Sequence, residues 1–327
     1  MSIPLPLLVT GVAGVAGYNA LDYFAARYPG QVVGIRQRDN WRLSAPWIEA
    51  CDAEDVDGLR RLFDRWQFRS VLDCAGNCAL RACELDTRLA WRTNVEGVVA
   101  LGAVVAERQV RWIHTSIDLV FAGKSQGGYL ENDRTTPVTV YGKTMVASEQ
   151  IFADWFPQAC VLRISLPMGV SFNGHACAID WIQSRFAKGR PGTLYYDEVR
   201  TPIYTDCMNL LFEELLASDV KGLYHAGGPR RLSLYEIAQI VNRVGGYDPN
   251  LLHGCPRHDA GPIPPRAGNV TMDSSRLEEV LGRQPFTPWP ADPQWIPDDR
   301  QWHFRRDGQL GSPQLLSEIL YRNPLRS

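Results

Sequence analysis

The chain has 327 residues, of which 45% are hydrophobic, and its formal net charge is −2. This length predicts one large domain with a smaller one, and the hydrophobic content is ordinary for a globular protein. A balanced charge without a basic stripe argues against a nucleic-acid-binding protein.

The N-terminal sequence carries no targeting or membrane signal. A short apolar run at 5–9 has no basic region before it, and a glycine loop soon interrupts it. Secretory signals need a charged start and a longer apolar stretch, and no segment reaches the roughly 18 apolar residues of a membrane-spanning helix. We therefore expect a cytoplasmic protein that does not enter membranes, with reduced cysteines. Cys74, Cys78 and Cys83 do not have a known zinc-site spacing, so we expect no metal.

The first half of the chain alternates strand and helix signals. Strands are predicted at 5–9, 31–35, 70–73, 110–114 and 161–165, with helices around 20–25 and at 56–66, 98–106 and 140–156. Strands that alternate with helices imply βαβ units and a parallel sheet. Right-handed crossovers then give an α/β, Rossmann-type, doubly wound fold.

The rhythm loosens after residue 165, where Pro and Gly become frequent. Helices are predicted at 179–187, 207–216, 233–244, 274–281 and 313–321. We expect a dinucleotide-binding domain at 1–165, with strands near 200–206 and 222–226 returning to it. A smaller C-terminal substrate domain is expected at 166–295, followed by a tail at 296–327 to which the sequence assigns no role.

A glycine loop follows the first strand and opens the first helix. Gly11 permits a tight turn, Gly14 lets the backbone approach a pyrophosphate, and Gly17 lets the helix pack closely on the sheet. The helix N-terminus presents free N–H groups to phosphates. The loop predicts a dinucleotide site that also includes Ala13, Val15 and Ala16.

The second predicted strand is followed by Arg36 rather than by an acidic residue. An acidic side chain at this place binds the ribose 2′-hydroxyl of NAD, whereas an Arg suits the 2′-phosphate of NADP. Arg36 therefore favours NADP(H) over NAD(H). A solvated Arg at a strand end is the alternative.

Further stretches resemble motifs of the extended short-chain dehydrogenases/reductases. They are the GxxGxxG spacing of 11–17, Cys51-Asp52, the turn Asp73-Cys-Ala-Gly, Thr93-Asn94-Val-Glu-Gly, Ser116-Ile-Asp-Leu-Val-Phe-Ala-Gly, Val140-Tyr-Gly-Lys-Thr-Met, Arg200-Thr-Pro-Ile-Tyr-Thr-Asp and Gly222-Leu-Tyr-His-Ala-Gly-Gly. Within this superfamily the chain most resembles dTDP-4-dehydrorhamnose reductase, over roughly residues 5–285.

The resemblance implies roles for residues outside the glycine loop. Cofactor contacts are implied for Asp52, Ala75, Gly76, Asn94 and Tyr141, and substrate contacts for Ile117, Asn173, Arg200 and the loop 166–177. The implied substrate is a small molecule such as a nucleotide sugar. The oligomeric state is left open, with a homodimer as one expectation.

Two family positions differ in this chain. The catalytic Thr or Ser is replaced by Ile117, and the catalytic Lys, four residues after Tyr141, by Met145. In the family the Tyr donates a proton to the carbonyl and the Lys lowers its pKa. Lys143 cannot replace that Lys, because residues i and i+2 point away from each other on a helix. Thr115 shares the strand face of Ile117 but lies about two residues deeper, so we expect it to be too far from the substrate to replace the missing hydroxyl.

Three functions remain open. The first is an NADP-dependent oxidoreductase with an atypical active site, in which Tyr141 alone remains of the catalytic group. The second is a catalytically degenerate dinucleotide-binding protein that regulates or scaffolds a partner, as does the similar regulatory subunit of methionine adenosyltransferase. The third is an epimerase or dehydratase, which needs the same Tyr–Lys pair and is disfavoured by its loss.

Overall fold

The computed structural model describes residues 2–124, 126–174, 177–306 and 311–325. Its strands are β1 (Leu7–Val9), β2 (Val32–Arg36), β3 (Ile48–Ala50), β4 (Ser70–Asp73), β5 (Arg111–Ile117), β6 (Cys160–Ile164), β7 (Pro167–Met168), β8 (Gly192–Tyr195), β9 (Val199–Arg200), β10 (Ile203–Tyr204), β11 (Gly222–Ala226), β12 (Leu232–Ser233) and β13 (Leu252–Cys255). Its α-helices are α1 (Val15–Arg27), α2 (Val56–Trp66), α3 (Leu80–Leu85), α4 (Thr87–Trp91), α5 (Gly97–Val105), α6 (Val140–Trp155), α7 (Ala178–Ala187), α8 (Thr205–Leu216), α9 (Leu234–Val244), α10 (Ser275–Leu281) and α11 (Pro313–Leu316).

Seven strands form one parallel sheet in the order β11-β6-β5-β4-β1-β2-β3. Leu7 of β1 pairs with Val32 on one side and with Ser70 on the other. The chain thus runs outward in both directions from β1 and β4, which confirms the doubly wound α/β fold. The crevice of such a sheet opens at the carboxyl ends of the strands where the order reverses.

Both faces of the sheet are covered by helices. Leu7 and Val9 belong to one hydrophobic cluster and Leu8 to the other, because alternate strand residues point to opposite faces. Helices α1 and α8 pack on the first face, and α2 and α5 on the second.

The chain after β6 both completes the sheet and builds a smaller unit over its carboxyl ends. The strand expected at 222–226 is the edge strand β11, whereas the segment near 200–206 does not return to the sheet. There, β9 pairs antiparallel with β12, and β10 pairs parallel with β7. These two-residue strands turn the chain between the sheet and the helices α7, α9 and α10.

The C-terminal tail is packed against this smaller unit. The helix expected at 313–321 begins as α11 and continues as a wider π-helical turn at Ser317–Tyr321. Leu316, Leu320 and Tyr321 are buried in the same hydrophobic cluster as Leu7 of the sheet.

Candidate functional site

A cleft of about 930 Å³ lies at the carboxyl ends of β1, β2 and β4, beside the smaller C-terminal unit. Seven of the residues predicted for cofactor or substrate line it, namely Gly11, Ala13, Gly14, Arg36, Ala75, Gly76 and Asn173. The cleft therefore joins the predicted dinucleotide side of the protein to its predicted substrate side.

The three glycines of the loop have different structural tasks. Gly11 has φ +64°, and a Cβ there would meet the Cys74 carbonyl oxygen at 2.0 Å. A Cβ on Gly17 would come within 2.4 Å of the Gly11 carbonyl oxygen. At Gly14 the nearest atom would be 3.4 Å away, and this residue lines the cleft. Gly11 and Gly17 thus serve the fold, and Gly14 leaves room for a ligand.

Helix α1 begins directly behind this loop. Gly14 is its N-cap and supplies no side-chain hydrogen bond, and its first turn carries no acidic residue. The first backbone N–H groups of a helix have no partner within the helix, so those of Val15, Ala16 and Gly17 can bind an anion.

A buried polar network joins the glycine loop to the turn after β4. Asp73 accepts hydrogen bonds from the Thr10 hydroxyl and, at 3.2 Å, from the Ala75 backbone N–H. Its second oxygen lies 2.8 Å from Nδ1 of His114, whose Nε2 lies 2.9 Å from the Ser148 hydroxyl. The network fixes the two backbone segments that form the floor of the cleft.

Asn94 fastens that turn to α6. Its Oδ1 accepts a hydrogen bond from the Asn77 N–H at 2.6 Å, and its Nδ2 donates to the Thr144 hydroxyl at 2.8 Å. Asn94 is 2% exposed and is not among the residues that line the cleft. It stabilises the wall, and it could meet a cofactor only through this turn.

Arg36 is the last residue of β2, and Asp52 follows the neighbouring strand β3. Arg36 lines the cleft, donates to the backbone oxygens of Gln37 and Arg38, and keeps a buried Nε without a partner. Asp52 is not among the residues that line the cleft, and it accepts a hydrogen bond from the backbone N–H of Arg38 at 2.9 Å. Arg38 also pairs with both Asp52 and Asp55. Of Arg36 and Arg38, Arg36 is therefore the one that is available to an anionic ligand in the cleft.

The predicted catalytic positions form an apolar group. Tyr141 and Ile117 are each 8% exposed, Met145 is 2% exposed, and all three belong to one hydrophobic cluster. Burial raises the pKa of Tyr141 well above its ordinary value, and the nearby Cys78 thiol and Asp118 carboxyl add to the rise, while Arg200 opposes it. Lys143 is exposed on the other side of the helix. Tyr141 thus has no neighbouring Lys cation that would lower its pKa.

Asp118 and Arg200 form a buried ion pair close to this group. The Arg200 Nε donates to one Asp118 oxygen at 2.6 Å, and its terminal nitrogen donates to the other. Ser165 also donates to Asp118, at 2.5 Å. Arg200 is 6% exposed and is absent from the residues that line the cleft, so its guanidinium is engaged by the protein itself.

The opposite wall contains residues that sequence reasoning missed. Trp181, Tyr195 and Arg266 line it, and the Arg266 guanidinium lies 4.7 Å from the centre of the Tyr195 ring. Trp181 is 47% exposed. Its position on the polar face of an amphipathic helix was the one available signal, whereas Arg266 lies in an irregular segment where spacing indicates nothing. Cys78, another missed residue, lines the cofactor side.

Comparison with known proteins agrees with this geometry. The model of the RmlD substrate binding domain family matches residues 6–294. The chain belongs to this family, within the extended short-chain dehydrogenases/reductases.

Individual relatives cover most of the chain. A probable low-salt glycan biosynthesis reductase of Haloferax volcanii is 26% identical over 84% of this chain and 91% of its own length. Methionine adenosyltransferase 2 subunit beta of Danio rerio is 24% identical over 90% of this chain and 92% of its own length. A crystal structure of dTDP-4-dehydrorhamnose reductase from Bacillus anthracis, in complex with NADP, superposes with a TM-score of 0.76 at 16% identity, over 88% of this chain and 96% of that one.

Two further properties concern only the part of the RmlD-family chain that the structure describes. There, no helix is both long and apolar enough to cross a membrane. Within the same residues no group of three or more His, Cys, Asp or Glu side chains could hold a metal ion.

Proposed function

We propose that the protein binds NADP(H) in the cleft and reduces the carbonyl group of a nucleotide-linked sugar. The observation that carries the proposal is the two-sided cleft, with a glycine turn and a helix N-terminus on one wall and Trp181, Tyr195 and Arg266 on the other. The relative from Bacillus anthracis, which shares the fold, is described in complex with NADP. The glycine turn, Arg36, Ala75 and Gly76 would hold the dinucleotide.

The second wall suits a nucleoside diphosphate group. An exposed Trp181 ring and the Tyr195 ring offer flat faces on which a base can stack. The Arg266 guanidinium lies 3.7 Å from a Glu198 carboxylate oxygen and keeps a buried Nε without a partner, and it can donate hydrogen bonds to phosphate oxygens. Asn173, exposed at the same wall, adds an amide that can donate to sugar hydroxyls.

The bound cofactor would supply the hydride for the carbonyl carbon. Tyr141 is the only family acid that remains, and its raised pKa keeps the hydroxyl protonated at neutral pH. A protonated Tyr can donate, but without a cation to stabilise the phenolate its transfer is unfavourable. General acids contribute ~10²–10⁴-fold to such rates, so we expect slow turnover.

The burial of the catalytic positions favours a second candidate function. Ile117, Tyr141 and Met145 are all buried in the hydrophobic core cluster, and none of the three is among the residues that line the cleft. A binding protein that regulates a partner would keep the dinucleotide wall and lose this chemistry. The methionine adenosyltransferase subunit of Danio rerio, named as a subunit and not as a reductase, offers an analogy.

Cofactor binding is the first experiment. Purified protein is titrated with NADPH and with NADH while nucleotide fluorescence is followed. The proposal expects tight NADPH binding and weaker NADH binding, and then NADPH oxidation with dTDP-4-dehydrorhamnose as the probe. Failure to bind either nucleotide contradicts both candidate functions.

Restoring the family residues separates the two candidates. In Ile117→Thr/Met145→Lys, the Lys cation should lower the pKa of Tyr141, because opposite charges ~4 Å apart attract each other by about 4 kcal/mol at an effective dielectric of about 20. If the wild type is degenerate, carbonyl-dependent NADPH oxidation should rise at least ~10²-fold from background. The control is Lys143→Met, which changes an exposed Lys of the same helix and should alter nothing. Rapid turnover by the wild type and slower turnover by the double variant would contradict degeneracy.

A further inference from the structure

The C-terminal segment Gly311–Leu325 lies beyond the part of the chain that the family model matches, which ends at residue 294. It is nevertheless firmly seated. The Trp289 indole N–H donates to the Leu320 carbonyl at 2.9 Å, and the Tyr204 hydroxyl donates to the Ile319 carbonyl at 2.8 Å. The segment therefore has a fixed position from which its side chains can act on the rest of the protein.

One side chain of this segment reaches the helix that carries the substrate-side wall. The Tyr321 hydroxyl lies 2.5 Å from Oδ1 of Asp180 and 3.0 Å from Oε1 of Gln183, both on α7. Tyr321 is 7% exposed and Asp180 is 5% exposed. A hydrogen bond from a hydroxyl to a buried carboxylate is among the stronger ones in proteins.

Asp180 also forms hydrogen bonds with the loop that precedes α7. Its other oxygen, Oδ2, accepts from the Ser171 hydroxyl at 2.5 Å and from the Cys177 backbone N–H at 2.9 Å. The carboxylate thus closes the first turn of α7 and ties it to residue 171. Tyr321 on one oxygen and these two donors on the other fix its orientation.

The elements held in this way carry cleft residues. Cys177, Ala178, Trp181 and Ile182 come from the helix and its cap, and Asn173 comes from the loop. The opposite wall rests instead on the Asp73 network, which Tyr321 does not enter. A change at Tyr321 should therefore reach one wall of the cleft and leave the other unchanged.

We propose that the C-terminal segment positions the substrate-side wall of the cleft, with Tyr321 and Asp180 as positioning residues. The segment acts from outside the family's matched region, so it adjusts the affinity for the nucleotide part of the substrate without touching it. This inference rests on the proposed function as far as the ligand is concerned. The attachment of α7 does not depend on it.

The test compares Tyr321→Phe with Tyr23→Phe in the full chain. Tyr23 donates to the Glu213 carboxylate at 2.6 Å between α1 and α8, so its change removes the same kind of bond far from α7. Three quantities are measured, namely hydrogen exchange of the peptides covering 177–183, the Kd of NADPH, and the Kd of thymidine diphosphate.

In Tyr321→Phe we expect exchange at 177–183 to be about tenfold faster, which corresponds to the loss of one hydrogen bond to a charged group. The Kd of thymidine diphosphate should rise about five- to tenfold, with the Kd of NADPH within twofold of wild type. Tyr23→Phe should change none of the three. If Tyr321→Phe does not fold, Ser171→Ala removes a bond to the same carboxylate and should give the same pattern.

Unchanged exchange at 177–183 would overturn the positioning role. So would an equal loss of NADPH and thymidine diphosphate affinity, because that result indicates general destabilisation. If the wild type fails to bind thymidine diphosphate, a thymidine-linked sugar is excluded as the substrate, and the exchange measurement alone decides the role of Tyr321.

Discussion

At the scale of single residues, two Arg residues at the end of β2 and just beyond it show how neighbouring side chains decide which Arg is available to a ligand. The sequence places Arg36 and Arg38 two positions apart with the same charge. Arg38 is paired with two carboxylates, whereas Arg36 binds only backbone oxygens and lines the cleft. Of these two residues, only Arg36 can therefore give up its hydrogen bonds to backbone oxygens and bind a phosphate group instead.

This difference predicts the effect of substitution on cofactor choice. Arg36→Gln should raise the Kd of NADPH about tenfold or more, because a charge-assisted hydrogen bond contributes about 1.5–3 kcal/mol. The Kd of NADH should stay nearly constant, because NADH has no 2′-phosphate. Arg38→Gln is the matched control and should change neither value by more than about twofold. Fluorescence titration measures both, and equal weakening of NADPH and NADH would contradict the assignment.

Tyr141 shows a second residue-scale effect. Its place after the cap of α6 follows from the sequence motif, because Thr139 caps the helix by accepting the Gly142 N–H. Its acidity does not follow from the motif. Burial raises the pKa and the nearby Cys78 and Asp118 add to the rise, so the same Tyr in the same fold is a weaker acid.

At the scale of elements, the three glycines of the β1–α1 turn differ in what surrounds them. Gly11 and Gly17 sit against backbone atoms of the turn itself and of the segment after β4, whereas Gly14 faces the cleft. The spacing predicts the turn. It also assigns a separate task to each glycine, and the contacts in the packed structure divide the three in the same way.

Alanine substitutions at two of these positions should therefore affect different properties, namely the stability of the fold at Gly17 and cofactor binding at Gly14. Gly17→Ala should lower the free energy of unfolding by about 1–3 kcal/mol, because its Cβ overlaps the Gly11 carbonyl oxygen. Gly14→Ala should leave the free energy of unfolding nearly unchanged and weaken NADPH binding at least tenfold, because its Cβ enters the cleft. Urea unfolding and fluorescence titration check the pair. A Gly14→Ala protein with wild-type affinity would show that the dinucleotide does not approach this turn.

The short strands after β6 are the elements that the sequence describes least well. The segment near 200–206 has the composition of a returning strand, yet β9 and β10 pair only with β12 and β7. Two-residue strands contain too few residues for a period to be recognised. Their pairing depends on the position of chain segments more than 30 residues away.

At the scale of the whole molecule, one hydrophobic cluster links the sheet to the tail. It contains Leu7 of β1, Phe212 of α8, Ile240 of α9 and Leu320 of the C-terminal segment. The division at residue 165 that composition suggests is therefore not matched by a division of the core. Apolar contacts of this kind couple the stability of the parts they join.

A shared core predicts cooperative unfolding of the two parts. In urea, the fluorescence of the ten Trp residues and the far-ultraviolet circular dichroism should follow one transition with the same midpoint. Leu320→Ala should lower that single midpoint, since a buried Leu→Ala change costs about 2–5 kcal/mol. An early transition reported by Trp alone would instead indicate that the smaller unit unfolds separately.

The sequence by itself determined the α/β doubly wound fold, the family, and the position of the glycine turn, because these depend on local periodicity and on short motifs of fixed spacing. Tertiary structure alone decided which side chains face the cleft. Arg200, expected at the substrate, is held by Asp118, whereas Trp181 and Arg266, which no motif marks, line the same wall of the cleft. Tyr321 reaches Asp180 from 141 residues away along the chain. Such contacts are set by packing of distant segments, and no local spacing encodes them.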